Sequence, residues 1–121
     1  MRRYKLTVTT ASDGTAVAYT PRLAGEVHSI QYVKGDFADG VDFTITSEAT
    51  GENIWTESNV NASAVRYPRA PTHSQAGAAA LYASGGTGVL ARIAVASDRV
   101  KVSIAQGGAT KTGTFHILVD D

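Results

Sequence analysis

The chain has 121 residues, 43% of them apolar, enough for one globular domain whose core needs neither disulfides nor a metal. Eleven lysines and arginines balance eleven aspartates and glutamates, so no bulk field draws the protein to nucleic acid or to an anionic membrane. The absence of cysteine excludes a disulfide framework, thiolate metal sites and cysteine nucleophiles together.

The N-terminal MRRYKLTVTT has no apolar run behind its two arginines, so no signal peptide is expected. Tyr4, Leu6 and Val8 alternate with Lys5, Thr7 and Thr9 and predict a strand. The SDG turn at 12–14 then leads to TAVAYTP, which would pair with that first strand as a hairpin. In GEVHSIQYVKGD, Val27, Ser29, Gln31 and Val33 fall on one face and His28, Ile30 and Tyr32 on the other, a mixed pattern that predicts a strand partly covered on both sides. VDFTITSEATGENIWTE predicts a hairpin with Val41, Phe43 and Ile45 inward, a TGEN turn, and a return strand carrying Ile54 and Trp55.

Residues 67–88, YPRAPTHSQAGAAALYASGGTG, break the alternation and are expected to form one long loop. The nearly uncharged AGAAALYASGGTGVLA within and beyond it is glycine-interrupted, short for a bilayer span and only weakly hydrophobic, so a soluble protein is expected. VLARIAVAS, RVKVSIAQ and TFHILVD close the chain as three more strands. Eight runs separated by turns predict an all-β fold, an antiparallel β-sandwich (jelly-roll-like) or small barrel of seven to eight strands, in a single domain over 1–121.

Motifs with chemistry are few. GGATKTG at 107–113 has the look of a phosphate loop, but Thr110 precedes Lys111 and a strand follows, so a hairpin turn is expected. Asp36, Asp39 and Asp42 recur at every third position, whereas calcium loops use alternate positions and a later glutamate; a solvated turn is the plainer reading, with a weak calcium site as a side hypothesis. His28, His73 and His116 lack zinc spacing, and the ASGG at 83–86 has no pattern supporting a nucleophile. No catalytic residue, cofactor or metal is therefore assigned.

Candidate contact residues cluster around the loop. Tyr67 and Tyr82 are rigid aromatics of the type that concentrate binding energy; for Trp55 a place in the core is the stronger reading. Arg66 and Arg69 would pair with a partner's carboxylates, and Pro68 and Pro71 stiffen the approach to His73. The alanine-rich centre, with Leu81, would form a short helix on docking. Trp55, Arg66, Tyr67, Pro68, Arg69, Pro71, His73, Leu81 and Tyr82 make up the expected partner-binding set.

From Trp55 onward, YPRAPTH, AGAAALYA and RVKVSIAQGGATKTGTFHILV, in that order, resemble a group of small virion-associated proteins of tailed bacteriophages. The resemblance implies a multi-copy structural subunit, with no enzymatic activity, that binds the major capsid protein or other virion subunits. A capsid cement or decoration protein is the first expectation, and a neck or tail component the alternative. A third reading, from the aromatics alone, is a carbohydrate-binding sandwich with Trp55 or Tyr67 stacked on a sugar ring.

Overall fold

Threonine- and valine-rich alternation favours extended backbone, and all the regular structure in the computed structural model, which covers residues 1–121, is strand. The strands are β1 (Arg2–Thr9), β2 (Ala16–Tyr19), β3 (Leu23–Val33), β4 (Val41–Ser47), β5 (Asn53–Val60), β6 (Ala64–Arg66), β7 (Arg69–Pro71), β8 (Leu90–Asp98), β9 (Val100–Ala105) and β10 (Thr112–Asp120). Eight of them are the predicted runs; β6 and β7 are additional. No helix is long and apolar enough to cross a membrane.

Two antiparallel sheets face each other as a sandwich. One runs β1-β10-β3-β8-β7, with β6 also paired to β3, and the other runs β2-β9-β4-β5. The pairings nest around the β4–β5 hairpin: β3 with β8, then β2 with β9, then β1 with β10, successive pairs alternating between sheets. The chain behaves as a long antiparallel ribbon folded back and forth across the core. β1 and β2 therefore do not form the expected hairpin, because the SDG turn carries the chain from one sheet to the other. GGATKTG likewise joins β9 and β10 of opposite sheets and is no hairpin turn. These two crossing loops bind each other: Thr10 Oγ1 donates to Gly108 O at 2.6 Å, and Gly107 N donates to Gly14 O at 2.9 Å.

The mixed pattern of β3 has a different cause from the one expected. Ser29 pairs with Leu118 but Val27 pairs with Val119, so His28 is an extra residue in a β-bulge. The bulge shifts the phase, and Val27, Ile30 and Tyr32 all point inward. In β4 the predicted inward set, Val41, Phe43 and Ile45, is fully buried.

Twenty buried apolar side chains form one core cluster. Aromatic rings bridge the two sheets at its centre: Tyr32 lies 5.0 Å from Phe43 and 5.2 Å from Phe115, and Phe43 meets Trp55 edge-on at 4.7 Å. Phe37, from the β3–β4 loop, plugs one end against Gly113, where any Cβ would run into its ring. Gly113→Ala is therefore expected to cost about 1–3 kcal/mol by overpacking, measured by denaturant unfolding, with a smaller cost in a Phe37→Leu background. The Tyr32 hydroxyl is buried without a hydrogen-bond partner, and burial pushes its pKa up to about 12. Tyr32→Phe, which removes that unpaired group and keeps the ring, is expected to leave the melting temperature unchanged or raised.

Candidate functional site

The edge of β3 is shared between two neighbours. β8 pairs with it over Leu23–Val27 and β6 over Ile30–Tyr32, so the chain must turn away between them. The Tyr67-Pro68 step makes that turn, since proline offers no amide to a ladder. Arg69 anchors it, its Nη1 donating to His28 O at 3.1 Å and to Pro68 O at 2.7 Å. β7 then pairs with the start of β8, Arg69 opposite Arg92 and Pro71 opposite Leu90. Residues 72–89 project from that hairpin as an arm.

The arm is ordered by its own hydrogen bonds. At its base, Thr72 N and Oγ1 both donate to Val89 O, at 2.9 and 2.8 Å. Ala80 N donates to Thr72 O at 3.0 Å and Val89 N to Ala80 O at 2.9 Å, so three short segments meet side by side. Two reverse turns close it. Gly77, at φ 86°, donates to Ser74 O, and Gly86 N donates to Ala83 O next to Gly85 at φ 68°. The alanine-rich centre is consequently extended and carries no helix. The predicted loop is thus partly strand, and its free portion runs over 72–89.

The arm differs chemically from the rest of the surface. No charged residue occurs from Ser74 to Ala91. Five of the eight exposed large apolar side chains, Val65, Tyr67, Leu81, Tyr82 and Leu90, belong to this segment and its flanks, with Tyr82 76% exposed. The outer face of the β2-β9-β4-β5 sheet carries Thr44, Thr46, Thr56, Lys101 and Ser103, matched across the strands by register, and at its edge the exposed Val17 and Tyr19 of β2, across from Ser103 and Lys101.

Beside the arm, a cleft of about 320 Å³ opens between β5 and the 66–69 turn, lined by residues that include Asn53, Trp55, Glu57, Arg66 and Tyr67. Register places Arg66 opposite Ile30, on the core-facing side, where its guanidinium lies 5.8 Å from the Trp55 ring centre. Arg66 forms a fork with Glu57, Nε to Oε1 at 2.8 Å and Nη2 to Oε2 at 3.1 Å, and Trp55 Nε1 donates to the same Oε1 at 3.0 Å. Burial pushes the Glu57 carboxyl up, but the Arg66 and Trp55 hydrogen bonds and the guanidinium charge together hold it below its ordinary value.

Of the expected contact residues, Trp55 is only 7% exposed and Pro68 is buried, so these two serve packing and offer no platform. Arg66, Tyr67, Pro71, His73, Leu81 and Tyr82 are exposed, and Arg69 is half-buried. Val65 and Leu90 share this surface but were not singled out from the sequence: Leu90 lies in a predicted strand run, where an apolar residue reads as core, and Val65 lies in β6, for which no run was predicted. The three aspartates do not converge. Asp36 accepts from Thr112 N, Asp39 pairs with Lys34 Nζ at 3.1 Å, and Asp42 accepts from Asn59 N and Gln106 Nε2. No group of three or more potential metal ligands is present. His28 packs on Tyr67 with ring centres 5.8 Å apart, His73 Nδ1 meets Ser74 O at 2.9 Å, and His116 sits on the sheet face between Lys5 and Gln31.

No family model and no curated protein matches the chain.

Glu57 has a lowered folded-state pKa, so its ion pair contributes stability above the ordinary carboxylate pKa and loses it as pH falls through the folded value. The stability difference between wild type and Glu57→Gln, followed by urea unfolding from neutral to acid pH, is expected to be present at neutral pH and to vanish in the acid range.

Proposed function

We propose that this protein is a non-catalytic structural subunit that binds other protein subunits through the arm at 72–89. The observation that carries this reading is the concentration of exposed, uncharged apolar surface on an arm that its own hydrogen bonds hold in shape. A preordered arm loses little conformational entropy on docking, and burying Leu81 and Tyr82 would supply roughly 1.5–3 kcal/mol each. Many such contacts repeated on one lattice multiply by avidity.

The setting we propose is the virion of a tailed bacteriophage, with the protein a capsid cement or decoration subunit contacting the major capsid protein. Two observations support it: the phage-like phrases from Trp55 onward, and the strand order β1-β10-β3-β8 against β2-β9-β4-β5, which we read as jelly-roll-like, an arrangement common in viral capsid domains. The fold by itself assigns no role. A second reading rests on the cleft, where the exposed Tyr67 ring beside Asn53 and Glu57 could take a sugar ring.

Cosedimentation with purified heads tests the proposal. Leu81→Ser/Tyr82→Ser is expected to weaken binding on the order of 100-fold or more with no change in melting temperature. Equal binding by the variant would remove the arm from the contact. Failure of the wild type to bind heads, combined with a ring-shaped oligomer in solution, would favour a neck or tail component, and binding to a glycan abolished by Tyr67→Ala would favour the sugar reading.

A further inference from the structure

We infer that the free edge of β1 is a second interaction site, which takes up an extended, acidic segment of a partner protein by strand addition. This goes beyond the contact assigned to the arm and is independent of it.

The inference starts from what each sheet edge exposes. Edge strands leave one side of their backbone amides and carbonyls unpaired, and proteins guard them by shortness, proline, bulges or charge. β2 has four residues, and β7 has three and ends in Pro71. β5 is broken by two register shifts against β4, which re-aim its backbone. β1 has none of these devices. It is eight residues long, without glycine or proline, and pairs with β10 in unbroken register from Arg2 to Thr9. In an antiparallel ladder, alternate residues of such a strand turn both backbone groups outward, so a long regular edge remains open.

Charge is the one guard on β1, and it is selective. Arg3 and Lys5 point to the outer face, are exposed, and have no carboxylate within ion-pair distance. The residues opposite them on β10 are Leu118 and His116. Arg2, by contrast, is already engaged, its Nε 2.8 Å from Asp121. On the inner face, Tyr4 and Leu6 pack against the core yet stay partly exposed.

An added strand would therefore meet two demands: negative side chains at alternate positions across from Arg3 and Lys5, and apolar ones between them to complete the cover of Tyr4 and Leu6. A second copy of β1, which carries no carboxylate, fails the first. Face-matched antiparallel pairing sets Arg3 across from Lys5 of the second copy, Lys5 across from Lys5, or, with Leu6 across from Leu6, Arg3 and Lys5 across from Thr9 and Thr7; the first two place like charges opposite each other, and none brings a carboxylate to either cation. The edge thus favours an acidic strand, which pairs both cations, over a second copy of itself, which pairs neither. β1 and β7 stand at opposite ends of the strand order, with β10, β3 and β8 between them, so arm and edge can be occupied together.

The test uses the full chain and a blocked octapeptide alternating glutamate and valine. Saturable binding at millimolar concentration or below is expected, with slowed amide exchange on β1. Arg3→Glu/Lys5→Glu should weaken it roughly tenfold or more while the melting temperature holds. Should that variant be unstable, Arg3→Gln/Lys5→Gln gives the same ranking. A peptide of identical charge with N-methyl groups on alternate amides should also lose binding, because strand addition needs those amides and simple ionic attachment does not. The inference is overturned if the parent peptide fails to bind, if the N-methylated peptide binds equally well, if protection appears elsewhere, or if the wild-type protein dimerises through β1.

Discussion

Each level of a strand's edge pairs with one neighbour only, and two segments of this chain claim the same edge of β3. β3 has eleven residues, more than its partner β8 covers, and β6 takes the remainder over Ile30–Tyr32. Because both cannot occupy the full length, the β7–β8 hairpin diverges from the sheet and residues 72–89 leave the body. The same competition carries Arg66 to the seam between the sheets, where it covers Trp55 and pairs with Glu57. The projection of the arm and the closure of the core thus follow from one shared edge.

The body of the sandwich is held by devices that leave little freedom. At the β8–β9 corner a single residue, Arg99, separates strands of opposite sheets. The buried Asp98 accepts from Ala49 N at 2.9 Å and Arg99 N at 2.8 Å, and Thr20 Oγ1 accepts from Val100 N at 2.9 Å. Arg99 then forks onto Glu48 and lies 4.1 Å over the Tyr19 ring. At the opposite end, Phe37 and the paired glycine loops seal the core. Buried polar groups with satisfied partners make such corners specific, since any alternative path would strand a donor or acceptor away from water.

The arm is organised on another principle. It is exposed almost throughout, and its hydrogen bonds are mainly internal, so it keeps a shape without drawing on the core. Changes there cost the fold little, and five of the eight exposed large apolar side chains gather on it and beside it. The uncharged arm and the cationic edge of β1 both differ from the face of β4, β5 and β9, where threonines, Ser103 and Lys101 lie across from one another.

Alternation was enough to read eight strands and the inward set Val41, Phe43 and Ile45, because the side-chain period of an extended chain is two whatever sheet the strand joins. Two glycine-containing connections, SDG and GGATKTG, were misread as hairpin turns, because a turn within a sheet and a crossing between sheets use the same local residues; only the pairing of β1 with β10 and β2 with β9 separates them. The bulge at His28 was hidden for a related reason: one extra residue inverts the faces on either side of it, and its presence depends on β10. For Tyr67 and Tyr82 the sequence left packing onto the sandwich and contact with a neighbour equally open, and the exposure of Val65 and Leu90 was not legible at all, since a strand residue is buried or exposed according to what covers it. The sequence by itself determined an all-β chain with one segment of different character, because backbone preference and side-chain period are local. Sheet membership, the burial of Trp55 under Arg66, the projection of the arm and the open edge of β1 were decided only in the tertiary structure, because each depends on which distant strand occupies a given edge.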